Sequence, residues 1–220
     1  MKKNSNFISI SNFKRLLLLL VLLFVYTFIS AFSYVNAVST NIQESVFRLH
    51  VVANSNSPED QNLKYIVRDK VLEYINSISG NQSSKEDVIN LANEHINEIK
   101  IIAENTIQEN GYDYTVTLNI GNFAFPTKTY GDISFPAGYY DALKIEIGKA
   151  QGQNWWCVMF PPLCFVDVTS GVVPEESKEI IKENLSDEEY ELISKNNNEI
   201  SFKFKIIEMF QNIGIKLAQS

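Results

Sequence analysis

The chain has 220 residues, of which 45% are hydrophobic and 20% are charged. This composition is typical of a globular protein and excludes a collagen-like, low-complexity or wholly disordered chain. The net charge is −7, but residues 1–37 hold four basic residues and no acidic one, which leaves 15 basic and 26 acidic residues, a net charge of −11, on residues 38–220. Because nucleic-acid affinity depends on Lys and Arg displacing counterions from phosphates, we expect no nucleic-acid partner.

The N-terminal segment has the order of a signal peptide. A basic stretch precedes the apolar run Leu16–Ile29, and Val35-Asn36-Ala37 then has the small-x-small form of a signal peptidase site. We expect residues 1–37 to be a signal peptide that is cleaved after Ala37. The alternative is an uncleaved anchor, because Leu16–Val35 as a helix spans about 30 Å, the thickness of a bilayer core. Both interpretations export the remainder and limit membrane contact to this segment.

The first part of the exported region predicts a strand followed by a helix. Val46–Ala53 is rich in β-branched and apolar residues, which is typical of a buried strand. Ser57 precedes a proline and two acidic residues, a pattern that starts a helix, and the apolar spacing continues to about Ile78. Tyr65 and Leu72 fall on the helix face opposite the main apolar stripe, which leaves both without a predicted core partner.

The middle of the chain predicts a second helix and two strands. Residues 83–87 have the Ser-x-x-acid pattern of a capping box, and an apolar stripe that includes His95 continues from there to Ile107. The period then changes from 3.6 to 2. Residues 114–120 and 143–147 alternate apolar and polar side chains, as strands with one buried face do.

Two further helix starts, at Pro174 and Ser186, and an amphipathic segment at residues 202–217 complete the pattern. The strands cluster in the middle of the chain, and helices precede and follow them. We therefore predict an α+β fold with a central, mainly antiparallel sheet flanked by N- and C-terminal helices. One exported domain, residues 38–220, is the simplest organisation.

Few side chains point to catalysis, and we do not expect an enzyme. The two histidines, His50 and His95, lie in a strand pattern and a helix stripe, where structural roles are usual. The sequence lacks motifs for zinc, phosphate and serine-nucleophile sites, so no metal and no cofactor is expected. The alternative hypothesis is an extracytoplasmic thiol hydrolase with Cys157 as nucleophile, His50 as base and Asp167 as the residue that orients it.

The cysteines, Cys157 and Cys164, leave two alternatives open. If Pro161 and Pro162 turn the chain back as a hairpin, the cysteines face each other in a non-hydrogen-bonded antiparallel pair and can form a disulfide. An oxidising compartment permits this bond. Two free, buried thiols are the other interpretation, and the sequence does not choose between them.

The segment Gly152–Phe165 holds both tryptophans of the chain beside two phenylalanines. Most of it fits a hydrophobic hairpin that fills the core. Adjacent residues of a strand point to opposite faces, however, so Trp155 and Trp156 cannot both enter one core. One of them needs a second partner, which is a covering helix, the membrane or another protein, and exposed aromatic area of this kind is typical of interfaces.

Three blocks of sequence together resemble the stage II sporulation protein R family of endospore-forming bacteria. They are Phe47–Asp69 (FRLHVVANSNSPEDQNLKYIVRD), Phe135–Gly148 (FPAGYYDALKIEIG) and Gly152–Asp167 (GQNWWCVMFPPLCFVD). The leading apolar segment also fits this family. The resemblance therefore extends over most of the chain, although the region from about Pro174 onward matches no motif of the family.

This resemblance implies a signalling role. Proteins of the family are made in the forespore and exported into the space between the two septal membranes. There they activate a membrane-embedded aspartic protease of the mother cell, which cleaves the inactive precursor of a sigma factor. The resemblance supplies no catalytic or binding residues that transfer to this chain.

We expect the exported domain to bind the external part of this protease and to shift it toward an active state. The candidate contacts are polar residues of the loop after the first strand and side chains without a predicted core partner. They are Asn54, Asn56, Tyr65, Leu72, Trp155 and Trp156.

Overall fold

The computed structural model describes residues 10–80, 84–164 and 173–194, and the chain divides into two compact units, Met1–Val38 and Ser39–Ser220. Helix α1, Ile10–Glu44, begins in the first unit and ends in the second. In the first unit its large apolar side chains from Phe13 to Tyr34 are exposed, and its most apolar stretch has a mean hydropathy of 2.6. A helix of this length and composition is compatible with the predicted signal peptide or anchor. Cleavage after Ala37 stays a prediction.

The second unit has the predicted α+β architecture. It includes the last residues of α1, among which Ile42 is fully buried. The elements that follow are β1 (Phe47–Val52), α2 (Pro58–Ile78), α3 (Lys85–Glu94), α4 (Ile96–Glu109), β2 (Val116–Phe125), β3 (Lys128–Tyr130), β4 (Ile133–Phe135), β5 (Gly138–Ile147), β6 (Asn154–Phe160), α5 (Glu175–Asn184) and α6 (Asp187–Ser194).

Four strands form a mixed sheet in the order β2-β5-β1-β6. Strand β1 is parallel to β5 and antiparallel to β6, and β2 is antiparallel to β5. Most of the pairings are thus antiparallel, which confirms the predicted sheet between helices. Strands β3 and β4 form a separate antiparallel hairpin.

Helices α2, α3 and α4 pack with one face of this sheet and form the main core. Side chains alternate along a strand, so Leu49 and Val51 of β1 point to the same face as their partners Leu143 and Ile145 on β5. The buried apolar residues that the helices contribute are Leu63, Val67, Val71, Leu72, Ile75, Val88, Ala92, Ile99, Ala103 and Ile107.

Helix α2 begins where the sequence predicts. Ser57 Oγ accepts a hydrogen bond from the Asp60 N–H at 3.2 Å, and proline occupies the first helical position. The helix ends at Ile78, where the N–H and the hydroxyl of Ser79 donate to Ile75 O at 2.8 and 2.6 Å. Hydroxyl side chains therefore close both ends of α2.

The predicted second helix is wrong in one respect, because it breaks at His95 into α3 and α4. His95 has φ −104° and ψ 18°, and its Nδ1 lies 3.0 Å from the hydroxyl of Tyr74 on α2. The break leaves Val88 of α3 and Ile99 of α4 buried in the same core. A long-range contact with α2 thus accompanies a helix break that the uninterrupted apolar stripe did not indicate.

Helices α5 and α6 begin at the predicted positions. Ser186 forms a capping box at the start of α6, since Glu189 N–H donates to Ser186 Oγ at 3.3 Å and Ser186 N–H donates to Glu189 Oε2 at 2.8 Å. Asn41, near the end of α1, donates to Glu189 Oε1 at 2.8 Å and ties α1 to α6. The predicted amphipathic segment at residues 202–217 lies outside the described residues.

Candidate functional site

The two adjacent tryptophans of β6 lie on opposite faces of the sheet, as expected. The Trp155 ring lies on the helix side, 5.4 Å from the Tyr65 ring of α2 and nearly perpendicular to it. The Trp156 ring stacks on the His50 ring of β1 at 3.8 Å and lies 4.7 Å from Phe125. Each indole therefore has an aromatic partner within the chain, and both are only partly buried.

Tyr65, Arg68 and Trp155 form a continuous outer surface, which we call the Tyr65–Trp155 surface. The Arg68 guanidinium carbon lies 4.3 Å from the Trp155 ring centroid and 5.1 Å from that of Tyr65. Tyr65 is 37% exposed. Arg68 also pairs with the neighbouring Asp69, at 2.6 Å. A guanidinium held between two aromatic rings is stabilised by cation–π attraction and presents a rigid, amphipathic face.

Lys64 lies beside this surface as a buried cation. It is 1% exposed, and its Nζ donates to Gln61 Oε1 at 2.6 Å and to Gln153 O at 3.1 Å. None of the carboxylates in the described parts of the chain forms an ion pair with it. Burial, together with the nearby Arg68 charge, lowers the pKa of Lys64.

Sequence reasoning missed the two cations of this site, Lys64 and Arg68. The position of Arg68 carried a signal, because it lies four residues after Lys64 and three after Tyr65, and residues three and four apart share a helix face. Charged residues on a helix usually indicate a solvated face, however, and neither the burial of Lys64 nor the stacking of Arg68 on β6 follows from spacing. Both depend on where β6 pairs with β1.

The expectation that Leu72 faces outward is wrong. Its side chain is 3% exposed and belongs to the main core. Leu72 lines a groove of about 490 Å³ together with Val88 of α3, Met159 of β6 and Ile180 of α5. These elements flank the C-terminal half of α2, so residues on both sides of the helix find apolar neighbours there. In this conformation Leu72 is a core residue.

Asn54 belongs to a network that holds the loop after β1 in place. Its side chain donates to Asp60 Oδ2 at 2.8 Å and accepts from the Lys149 N–H at 3.0 Å, and its carbonyl accepts from the Gln151 N–H at 3.1 Å. Gly152 packs so closely here that a Cβ would collide with the backbone of Ser55. The loop thereby fixes the start of β6, and only Asn56 of the two candidate asparagines is exposed.

Asp60 is the buried acceptor at the centre of this network. Burial acts to raise the pKa of Asp60, but hydrogen bonds from Ser55, Asn54 and Tyr114 outweigh it and hold that pKa below its ordinary value. The Ser55 hydroxyl donates at 2.6 Å. The carboxylate form is therefore the one that the folded loop requires.

The other face of the sheet buries a second cation, Arg48, in an aromatic cage. Arg48 is fully buried, and its Nη2 donates to the hydroxyl of Tyr130 at 2.8 Å, while Nη1 has no acceptor among the described atoms. The surrounding rings, with the distance of each centroid from the guanidinium carbon, are Phe125 (4.2 Å), Tyr140 (4.7 Å), Phe135 (5.9 Å) and Tyr130 (6.0 Å). Burial raises the pKa of Tyr130, which stays a neutral donor and acceptor. The cage holds the β3–β4 hairpin against the sheet.

Cys157 and Cys164 form a disulfide, with their Cα atoms 5.2 Å apart. The predicted hairpin register is wrong, because β6 continues to Phe160 and Cys164 lies in the turn that follows. In this turn the Leu163 N–H donates to Val158 O at 3.0 Å. The bond therefore closes the end of β6 across a turn and not across a pair of strands.

The geometry does not assemble the alternative thiol hydrolase. Cys157 is opposite Leu49 in the β1–β6 register, whereas His50 is opposite Trp156, so the sulfur and the imidazole lie on different faces of the sheet. His50 Nε2 instead lies 2.7 Å from Asn154 Oδ1, and burial lowers its pKa. Asp167 lies outside the described residues. The described residues also contain no group of side chains arranged to hold a metal ion.

The second unit is thus a disulfide-bonded α+β domain that follows an apolar N-terminal helix in the chain and carries an aromatic and cationic surface. The model of the stage II sporulation protein R family matches residues 43–170, which include all six strands of the described residues. The chain belongs to this sporulation-related family, as its three sequence blocks indicate.

A relative named stage II sporulation protein R, from Bacillus subtilis (strain 168), is 39% identical to this chain over 143 residues. The match spans 64% of this chain and 64% of that protein. No solved structure matches the chain. Helices α5 and α6 lie beyond the residues that the family model matches.

Replacement of Asp60 by Asn is expected to destabilise the domain in a pH-dependent way. The pKa of Asp60 is lower in the folded chain than in the unfolded chain. The carboxylate therefore stabilises the fold fully at pH values above its unfolded pKa of about 3.9, and this stabilisation is lost as the pH falls through its folded pKa. At pH 7 we expect a loss of about 1.5–3 kcal/mol in the free energy of unfolding. Urea unfolding followed by tryptophan fluorescence measures this loss.

Asp87→Asn is the matched control, because Asp87 has the same third position in α3 that Asp60 has in α2, but is exposed. We expect its effect to stay below about 1 kcal/mol. A loss for Asp60→Asn that equals the control, or that persists unchanged at pH 3, contradicts the role of the buried carboxylate.

Reduction of the disulfide is expected to lower the free energy of unfolding by about 2.5 kcal/mol, the loop-closure term for a bridge of sequence separation 7. Urea unfolding with and without a reductant measures the difference. The double variant Cys157→Ala, Cys164→Ala is the control and is expected to be insensitive to the reductant. An identical midpoint for the native chain in both conditions would show that the bridge does not stabilise the fold.

Proposed function

We propose that this chain is an exported signalling protein of endospore formation that activates a membrane-embedded aspartic protease of the mother cell. The activated protease then cleaves the inactive precursor of a sigma factor. The protein leaves the forespore through its N-terminal apolar segment and acts in the intermembrane space, either released or held through Leu16–Val35. The observation that carries this proposal is membership of the stage II sporulation protein R family.

The structure supports action by contact. The Tyr65–Trp155 surface combines tyrosine, arginine and tryptophan, the residue types that dominate binding energy at protein interfaces. To move a receptor from 1% to 99% active, a ligand must favour the active state by about 5.5 kcal/mol. A few anchor residues of about 2 kcal/mol each are sufficient for such a shift if they contact only the active state.

The proposal is tested by co-expression of the full chain, the receptor protease and a tagged sigma-factor precursor in a bacterium that does not sporulate. We expect shortening of the precursor only when all three proteins are present. A chain without residues 1–37, retained in the cytoplasm, is expected to be inactive because it cannot reach the external part of the protease. Shortening of the precursor without this chain, or full activity of the retained form, contradicts the proposal.

Single cysteine variants separate binding from thiol chemistry in the same assay. Cys157→Ala and Cys164→Ala both remove the disulfide, so a binding protein is expected to lose the same amount of activity in both, in proportion to the amount of folded, exported chain. A thiol hydrolase loses all activity with Cys157→Ala and keeps activity with Cys164→Ala. That second pattern, at equal exported amounts measured by immunoblot, would establish the hydrolase alternative.

A further inference from the structure

We propose that the Tyr65–Trp155 surface binds an acidic segment of the partner protein, with a carboxylate of that segment paired with Arg68 and close enough to offset the charge of the buried Lys64. This inference rests on the proposed function, because the partner in question is the external part of the receptor protease. It adds the chemistry of the contact: Asp or Glu side chains on the partner, flanked by apolar residues that cover Tyr65 and Trp155.

Charge is the first argument. Residues 38–220 carry a net charge of −11, so two neighbouring cations stand out from an acidic domain. Lys64 and Arg68 are one helical turn apart on α2, and their like charges repel each other. Lys64 is 1% exposed and has only neutral hydrogen-bond partners among the described residues, the Gln61 side chain and the Gln153 carbonyl. A buried cation without a counter-ion is costly, and a carboxylate brought by a partner supplies the missing charge.

Hydrogen bonding is the second argument. The indole Nε1–H of Trp155 is buried and has no acceptor among the described residues. Within the described ranges Arg68 forms one ion pair, with Asp69, whose side chain is 62% exposed, so this pair is solvated. An incoming carboxylate has two oxygens, which accept several hydrogen bonds and pair with a guanidinium in two-point geometry. Donors therefore outnumber acceptors at this surface.

Two other features of the second unit do not fit the same partner. The groove beside Leu72 is lined by Glu176 and Glu183 as well as by apolar side chains, so it repels an acidic segment. The outer edge of β6 is partly occupied by its own chain, since the Tyr130 hydroxyl donates to Trp156 O at 3.0 Å and the Leu163 N–H donates to Val158 O. An added strand would have to displace these donors.

Arg68→Glu tests the inference in the co-expression assay. We expect precursor shortening to fall about tenfold or more when expression of the chain is limiting, because the substitution replaces attraction to the partner's carboxylate by repulsion. Lys70→Glu is the matched control: it makes the same change of charge on the same helix, two positions away, at an exposed lysine that pairs with Glu73. We expect the control to stay within about twofold of the native chain.

Arg68→Gln is the second variant, because it removes the charge without repulsion and is expected to give intermediate activity when equal amounts of folded chain are compared. Salt provides an independent measurement. Co-purification of the detergent-solubilised protease with the full chain is expected to weaken when NaCl is raised from about 0.05 M to about 0.5 M, and this dependence is expected to be smaller for Arg68→Gln.

The outcomes separate this inference from the proposed function. If the native chain does not promote precursor shortening, the proposed function fails. If the native chain is active and Arg68→Glu gives the same precursor shortening as Lys70→Glu, only the inference about the acidic segment fails. Co-purification that does not change with salt also contradicts this inference and leaves the proposed function standing. Restoration of Arg68→Glu activity by a lysine substituted for an acid in the external part of the protease would identify the partner residue.

Discussion

Strand β1 is buried on both of its faces, and the arrangement of the other elements follows from that constraint. On one face Leu49 and Val51 pack against the helices. On the other face Arg48 and His50 place polar groups at depth, and these groups need aromatic and hydrogen-bonding partners rather than an apolar core. The cage around Arg48 supplies the aromatic partners and the Tyr130 hydroxyl as an acceptor, leaves Nη1 without an acceptor among the described atoms, and holds the β3–β4 hairpin. Because β6 pairs with β1, the register of this pairing also determines on which face of the sheet Trp155 and Trp156 lie.

Local signals were sufficient for much of the fold. The capping residues at Ser57 and Ser186 and the alternation in β2 and β5 depend on neighbouring residues, so the sequence predicts them directly. The break at His95 and the burial of Leu72 depend on contacts between elements that are distant in sequence, and a helical period cannot show them. The predicted hairpin at Cys157 failed for a related reason, since β6 pairs with β1 and the bridge closes a turn.

The candidate site could be predicted in part. The alternation argument correctly separated Trp155 from Trp156, and the outer face of α2 correctly included Tyr65. The side chain of the loop residue Asn54 is hydrogen-bonded to Asp60 and to the loop before β6, a role that the sequence did not indicate. Arg68 links helix and strand into one surface, which becomes visible only once their packing is known. Contact of these residues with a partner stays a prediction.

Site-directed photocrosslinking tests the central claim, action through the Tyr65–Trp155 surface, most directly. A photoreactive phenylalanine analogue replaces Tyr65 in one chain and Tyr139, an exposed tyrosine at the start of β5, in another. The account predicts a covalent adduct between the chain and the receptor protease from position 65 and none from position 139. An adduct from position 139 alone, or equal adducts from both positions in chains that still promote precursor shortening, would contradict it.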